Sequence, residues 1–154
     1  MIDDIDIHIL EILQEKARIP NAEVARQVGM APSAVLERIR KLEERGIIEG
    51  YEVRLNPVCF HQGLSAFVFI ETEGDSAETA QALAGMTSVQ EVHQVVGPDG
   101  FLVKLRTADN TSLAGILRHQ IQPLKGVKST RTQIVLETVK ETRSVDLVHA
   151  ERDL

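Results

Sequence analysis

A group of polar and cationic side chains between residues 32 and 45 has the types and spacing needed to bind nucleic acid. Apart from Arg38, which lies at the flank, the group occupies one face of a predicted helix, whose opposite face carries Val35, Ile39 and Leu42 at the i, i+4, i+7 spacing of a buried stripe. Hydroxyl, carboxylate and guanidinium groups recognise base edges, and cations bind phosphates. The candidates for base edges are Ser33, Leu36, Glu37 and Arg40, next to Pro32, and those for phosphates are Arg38, Lys41 and, further along the chain, Arg54.

This helix is predicted to follow another short helix through a tight turn. Gly29 can take the left-handed conformation that ends the first helix of the pair, and Pro32 suits the first turn of the second. Residues 47–55 then alternate around a central glycine, which predicts a small strand pair. Residues 1–55 are therefore predicted to form a winged helix-turn-helix domain that contacts double-stranded DNA.

The charge of this domain leaves two other interpretations open. Residues 1–55 hold eight basic and eleven acidic side chains, whereas residues 38–45 hold four basic and two acidic ones. Only the net positive charge of residues 38–45 therefore suits phosphate binding. One such module would have a modest affinity for DNA, which several modules joined in one oligomer would be needed to raise. Alternatively, the helix pair serves protein contact, or its charged face is simply solvated, with pairs such as Glu37 and Lys41.

Other kinds of chemistry find little support in the sequence. Cys59 is the single cysteine, which excludes an intrachain disulfide or a C-x-x-C site, and the five histidines lack metal-motif spacing. No catalytic dyad, triad or phosphate-cradling glycine loop is present, so we expect no enzyme activity, cofactor or metal. No run reaches the length of a membrane span and the start of the chain is acidic, so we expect a cytoplasmic protein.

A second domain of different architecture is predicted to follow a linker at residues 56–63. Apolar runs and helical stripes alternate over residues 64–142 in the order β-α-β-β-α-β, which is typical of ferredoxin-like folds of the α+β class. Both helices then cover one face of the sheet. The other face would expose Phe67 and Phe69, so an isologous homodimer formed through this face is expected. Residues 143–154 are predicted to be a polar tail.

The boundaries within this domain follow from turn and cap signals. The first helix is predicted from about Ser76 to Met86, with Ala77, Ala80, Leu83 and Ala84 facing the sheet. The second helix is expected to be capped by Asn110 or Thr111, and the last strand to run from about Val127 to Val139. Gly97 to Gly100, which contain Pro-Asp-Gly between two apolar runs, predict a hairpin turn.

Taken in this order, the motifs of the chain resemble those of the Lrp/AsnC family of transcriptional regulators, over nearly the whole sequence. In the first half, the matching segments are Asp3-x-x-Asp6-x-x-Ile9-Leu10, Arg18 with Glu23-Val24-Ala25, Val28-Gly29-Met30, Val35-x-x-Arg38-Ile39-x-x-Leu42 and Gly46-Ile47-Ile48-x-Gly50-Tyr51. In the second half, they are Val96-Gly97, Phe101 to Leu105, Gly126-Val127 and Thr130-x-Thr132-x-Ile134-Val135-Leu136.

The resemblance implies a regulator that binds promoter DNA as dimers assembled into an octamer. It also implies an ACT-like effector domain that binds an amino acid or a related metabolite. The effector residues it implies are Val96, Gly97, Pro98, Asp99, Gly100, Phe101, Thr130 and Thr132.

Three positions depart from the family pattern. Pro20 and Ala31 replace serine or threonine at the starts of two helices, and Gly100 stands where the effector loop usually has aspartate. Two alternatives to a ligand-responsive regulator follow. One is a protein that wraps DNA without an effector. The other is an enzyme similar to the siroheme decarboxylases, although the His-Asn and Tyr-Asn-x-Trp-Phe segments of those enzymes are absent.

Overall fold

The computed structural model describes residues 2–74 and 76–148, which divide into two compact units. The first unit contains residues 2–54 together with 141–148, and the second contains residues 55–140. The part of the predicted tail beyond residue 148 lies outside the described residues. No helix within the described ranges has the length and apolar composition needed to cross a membrane.

Three helices form the first unit: α1 (Asp4–Glu15), α2 (Asn21–Val28) and α3 (Pro32–Glu44). One residue from each helix, Ile9, Val24 and Val35, is fully buried in their shared core. Gly29 ends α2 in the left-handed conformation with φ 69°, and Pro32 is the first residue of α3. The predicted helix-turn-helix is therefore confirmed.

The strand pair that the sequence predicts at residues 47–55 is not formed. Residues 47–56 contain neither strand nor helix. A two-stranded ribbon is only marginally stable alone, and the predicted segment 47–55 offers three residues before Gly50 and five after it. A side chain holds it instead: the Tyr51 hydroxyl donates to Glu43 Oε1 at 2.8 Å. Burial is the larger cause, and this hydrogen bond the next, of a rise in the pKa of Tyr51 to about 12.

The second unit is a four-stranded antiparallel sheet with two helices. The elements are β1 (Leu64–Thr72), α4 (Ala77–Ala84), β2 (Val89–Gln94), β3 (Phe101–Thr107), α5 (Asn110–Ile116) and β4 (Val127–Ile134). The strands pair in the order β2-β3-β1-β4, which is the order of a ferredoxin-like β-α-β-β-α-β chain. A 3₁₀ turn at Pro57–Phe60 precedes the sheet, and a π-helical turn at Leu117–Ile121 extends α5.

The two faces of the sheet differ, because side chains alternate along β1. Ala66, Val68 and Ile70 are fully buried and pack with residues of α4 and α5 in one core. Phe67 and Phe69 point to the opposite face and stay partly exposed. We refer to this second face, which carries Phe67 and Phe69, as the open face of the sheet.

Three details of this unit differ from the sequence prediction. The cap of α5 is Asp109, not Asn110 or Thr111, because its carboxylate accepts a hydrogen bond from the Ser112 N–H at 2.7 Å. Strand β4 ends at Ile134, not Val139, because its partner β1 begins only at Leu64.

The third difference is the face that α4 turns to the sheet. Thr79 is buried beside Leu83, whereas Ala77 and Ala84 are exposed. Burial of the Thr79 hydroxyl is compensated because it donates to the carbonyl of Lys125 at 2.8 Å.

Candidate nucleic-acid and effector interfaces

The outward face of α3 displays the side chains that the sequence assigned to base edges. Pro32, Ser33, Glu37 and Arg40 are exposed, and Leu36, although apolar, is 54% exposed. Val35, Ile39 and Leu42 occupy the buried face, as predicted. The helical repeat therefore brings these candidates onto one exposed surface.

The cations on this face of α3 are paired with carboxylates of the same helix. Arg40 donates to Glu37 through Nε at 3.2 Å and Nη2 at 2.9 Å, and its Nη1 lies 3.2 Å from Glu44. Lys41 Nζ lies 3.7 Å from Glu37. The hydrogen bond from Arg40 lowers the pKa of Glu37, and the same bond raises the pKa of Arg40. A phosphate that contacted Arg40 or Lys41 would therefore have to compete with these carboxylates.

The N-terminus of α3 also lies on the exposed side. Its cap residue, Ala31, provides no side-chain hydrogen bond to the first turn, and neither does Pro20 at the start of α2. Because the N-terminus of a helix carries a partial positive charge, an uncapped first turn suits a phosphate.

Arg38 and Arg54, both predicted to contact phosphates, differ in their surroundings. Arg54 is exposed at the end of the extended segment that follows α3. Arg38 is only 28% exposed, and its Nη1 lies 2.7 Å from Asp3 Oδ2 and 2.8 Å from Asp6 Oδ1, at the start of α1. Spacing along the sequence does not reveal this pairing, because the partners are more than thirty residues apart.

The ionised form of Asp3 stabilises the first unit. The backbone N–H of Asp6 and the Arg38 guanidinium lower the pKa of this carboxyl below its ordinary value of 3.8. A depressed native pKa contributes stability that is present above the unfolded value and lost as the pH falls through the native value. We therefore expect the urea concentration at the unfolding midpoint of the first unit to decrease as the pH is lowered below about 4. The amide resonances of Ile9 and Val24 report this midpoint. Asp3→Asn should lower the midpoint at pH 7 and flatten this acid limb; an unchanged acid limb in that variant would contradict the assignment.

The predicted effector loop folds back onto the end of β1. Val96 is fully exposed and Gly97 takes φ 133°, while the Gly100 N–H donates to the Ile70 carbonyl at 2.8 Å. A Cβ added at Gly100 would lie 2.2 Å from Thr72 Oγ1 and 3.3 Å from Thr72 Cβ. The position that holds aspartate in the family pattern therefore has no room here for a side chain.

Asp99, which precedes Gly100 in this loop, is bound to the last strand, β4. Its carboxylate accepts from Arg131 Nη2 at 3.1 Å, and the Arg131 guanidinium lies 4.1 Å from the centre of the Phe69 ring. Arg131 pairs across the strands with Phe69, which places both side chains on the open face. The loop is thus tied to the open face of the sheet.

Three other predicted effector residues lie on the helix-covered face. Phe101 is buried in the core, while Thr130 and Thr132 pair across the strands with Ile70 and Val68. Gln122 Nε2 donates to Thr130 Oγ1 at 3.4 Å. The predicted effector residues are therefore divided between the loop and the helix-covered face of the sheet, and Ile70 of β1 pairs with both Phe101 and Thr130.

Four residues contribute to these sites without having been predicted as site residues: Asp3, Asp6, Thr72 and Arg131. Strand alternation offered a signal for Arg131, because a residue between two inward threonines must point to the other face. In the part of the chain that the structure describes, no group of three His, Cys, Asp or Glu side chains is placed to hold a metal ion.

A helix-turn-helix unit whose second helix, α3, has an exposed polar face, followed by a β-α-β-β-α-β unit, defines a class of ligand-binding transcriptional regulators. Residues 2–49 match the family described as winged helix-turn-helix DNA-binding, and residues 65–145 match the Lrp/AsnC ligand binding domain. The chain belongs to the Lrp/AsnC family and is a DNA-binding transcriptional regulator of that type.

Individual relatives agree with this assignment. The leucine-responsive regulatory protein of Escherichia coli K12 is 36% identical over 145 residues, which cover 92% of this chain and 88% of that protein. A transcriptional regulator of Neisseria meningitidis, solved in complex with L-Met, aligns with a TM-score of 0.91 at 27% identity, over 97% of this chain and 99% of that one. For Escherichia coli AsnC the TM-score is 0.85 at 28% identity, over 94% and 98%.

Proposed function

We propose that this regulator reads its operators by placing α3 in the major groove. The observation that carries the proposal is the single exposed surface formed by Ser33, Leu36, Glu37 and Arg40. Arginine recognises guanine, carboxylates accept from cytosine and apolar side chains contact the thymine methyl group, so this surface combines several modes of base readout. Lys41, Arg54 and the first turn of α3 are the proposed phosphate contacts.

The proposed operator-binding species is a dimer formed through the open face of the sheet. Phe67 and Phe69 lie partly exposed at the centre of this face, and a second copy of the same face would cover them. Two copies of α3 then read half-sites about one helical turn, roughly 10 bp, apart or a multiple of it. Assembly of four dimers into an octamer would raise the effective affinity for DNA of modules whose own net charge is negative.

A charge introduced at Phe67 should abolish this dimer. Phe67→Asp removes the aromatic ring from the open face and places a charged group beside Lys104 and Gln133, its neighbours on the adjacent strands, so the apolar contact with a second copy is lost and sedimentation velocity should show mainly monomer. Phe67→Leu, which keeps an apolar side chain, should sediment as the wild type does. If the aspartate variant keeps the wild-type sedimentation coefficient, the open face is not the dimer interface.

The proposed effector is an amino acid or a related metabolite. Support comes from the Lrp/AsnC ligand binding domain at residues 65–145, from the L-Met complex of the Neisseria meningitidis regulator and from the leucine-responsive relatives. Residues 1–55 would act as the DNA-binding domain and residues 64–142 as the effector domain, joined by residues 56–63. Binding would act by favouring one assembly state over another. Because its partner is chromosomal DNA, the proposed place of action is the cytoplasm.

A second candidate is a regulator that organises DNA without an effector. The loop geometry favours it, because Asp99 is bound to Arg131 and Gly100 packs against Thr72. The relatives found are transcriptional regulators, so an enzyme of the same outline finds no additional support.

A footprint of the DNA upstream of its own gene, with and without a panel of the twenty amino acids, tests these proposals. Protected half-sites spaced by whole helical turns support the DNA-reading role of α3. A change in protection with one compound, with calorimetric heat from the same compound, supports the effector. Protection that no compound alters favours the second candidate, and a complete lack of protected half-sites would refute the reading role of α3.

A further inference from the structure

Arg38 connects the flank of the proposed reading helix with the N-terminus of α1. A single nitrogen, Nη1, donates to both Asp3 Oδ2 at 2.7 Å and Asp6 Oδ1 at 2.8 Å. The side chain of Asp6 is only 11% exposed. These charge-assisted bonds are short and partly shielded from water, unlike the exposed pairs on the outward face of α3.

The two aspartates are themselves held by the first turn of α1. The Asp6 N–H donates to Asp3 Oδ1 at 2.8 Å, and the Asp3 N–H donates to Asp6 Oδ2 at 3.3 Å, which forms a reciprocal capping box. Each carboxylate thus uses one oxygen for the backbone of α1 and the other for Arg38. The four hydrogen bonds therefore form a closed network, in which both carboxylates and the Arg38 guanidinium have defined positions.

A phosphate contact by Arg38 would require this network to open. The guanidinium would leave two short bonds, and the Asp6 carboxylate would remain nearly buried without its cation, which is costly. Arg40 and Lys41, whose side chains are 58% and 64% exposed, can instead turn toward DNA at little cost.

We propose that Arg38 is a positioning residue, which sets the orientation of α3 on α1 through Asp3 and Asp6, and that it does not bind phosphate. The inference rests on the proposed placement of α3 in the major groove. Base contacts depend on the angle at which a helix enters the groove, so a loosened connection at one flank of α3 misaligns the side chains that read bases.

Asp6→Asn in the full chain separates the two roles by the sign of its effect. If Asp6 holds Arg38 in a positioning network, the neutral amide weakens the network and DNA affinity falls. If Arg38 is a phosphate ligand that Asp6 restrains, the same change frees it and affinity rises. Glu11→Gln, which removes one negative charge from an exposed site on α1, controls for the general gain in positive charge.

The probe is a duplex selected from a random library by the wild-type protein, with a shuffled duplex of equal length for comparison. We expect Asp6→Asn and Arg38→Gln each to weaken binding to the selected duplex by about tenfold, the scale of one impaired base contact. Neither should change the slope of log affinity against log salt, and the double variant should bind no more weakly than Arg38→Gln alone. Arg38→Lys should recover part of the loss, because it restores one charged donor.

Three results would overturn the inference. A rise in affinity for Asp6→Asn beyond that of Glu11→Gln, or a salt slope reduced by about 0.9 in Arg38→Gln, identifies a phosphate ligand. Unchanged affinity with a lower melting temperature, in protein that circular dichroism shows to be folded, identifies a role in stability alone. Failure of the groove placement is distinguished by Arg40→Ala, which then leaves affinity for the selected duplex unchanged.

Discussion

Replacing Glu37 by glutamine should increase the affinity of the protein for duplex DNA of any sequence, by about threefold to tenfold at 0.1 M salt. Glu37 accepts hydrogen bonds from Arg40 and lies close to Lys41, so it holds both cations of the reading face. The neutral amide weakens this hold and also removes a negative charge from the surface that we propose to face the phosphates. Fluorescence anisotropy with a shuffled duplex at several salt concentrations measures the change, and the salt dependence should become steeper.

Selectivity should fall while affinity rises. A carboxylate at position 37 repels phosphate wherever its base contact is missing, so its loss benefits wrong sequences more than the operator. Glu11→Gln carries the same change of charge on α1 and should give a smaller increase without loss of selectivity. If Glu37→Gln and Glu11→Gln behave alike, the outward face of α3 does not lie against DNA.

Adding one methyl group at Gly100 should destabilise the second unit by about 1–3 kcal/mol, the range expected for an overpacked site. The new Cβ would lie 2.2 Å from Thr72 Oγ1, 3.3 Å from Thr72 Cβ and 3.4 Å from Thr72 Cγ2, so the threonine must leave its rotamer and its Cβ still makes a tight contact afterwards. The Gly100 backbone is also tied to Ile70 and to Val95 by hydrogen bonds, which limits movement of the loop. Urea unfolding followed by amide resonances of β1 and β3 measures the loss.

Shortening Thr72 provides the matching test. Thr72→Ala removes two of the three close atoms, so Gly100→Ala/Thr72→Ala should recover most of the stability lost by Gly100→Ala alone. Gly115→Ala is the control, because its added Cβ meets nothing within 4 Å and the residue lies in α5, where alanine is favoured over glycine. Equal effects of the single and double variants would show that Thr72 is not the obstacle.

Local patterns in the sequence were sufficient to predict most of the fold. Gly29 and Pro32 mark the turn before α3, and the buried spacing of Val35, Ile39 and Leu42 gives its outward face. These signals act over a few residues, and the structure satisfies them. The face of α4 could not be read in the same way, because a buried threonine depends on a carbonyl acceptor supplied by Lys125, far along the chain.

The candidate sites were less predictable, because their key contacts join distant parts of the chain. Arg38 has the residue type of a phosphate ligand, and only the fold shows that Asp3 and Asp6 meet it. Likewise, Asp99 lies in the loop next to Gly100, but its ion-pair partner Arg131 lies on β4. Composition and spacing give the type of a side chain and its face, whereas its partners follow from tertiary packing.

The division of the first unit into two chain segments matters for protein engineering. Gln14 of α1 exchanges two hydrogen bonds with the backbone of Val145, at 3.1 and 2.7 Å, and Arg143 pairs with Glu52. A chimaera that grafts residues 1–55 onto a foreign sensor would omit 141–148 and lose these hydrogen bonds, which join exposed residues. A transplantable DNA-binding module that keeps them must carry residues 141–148 as well, with the sensor inserted between the two pieces.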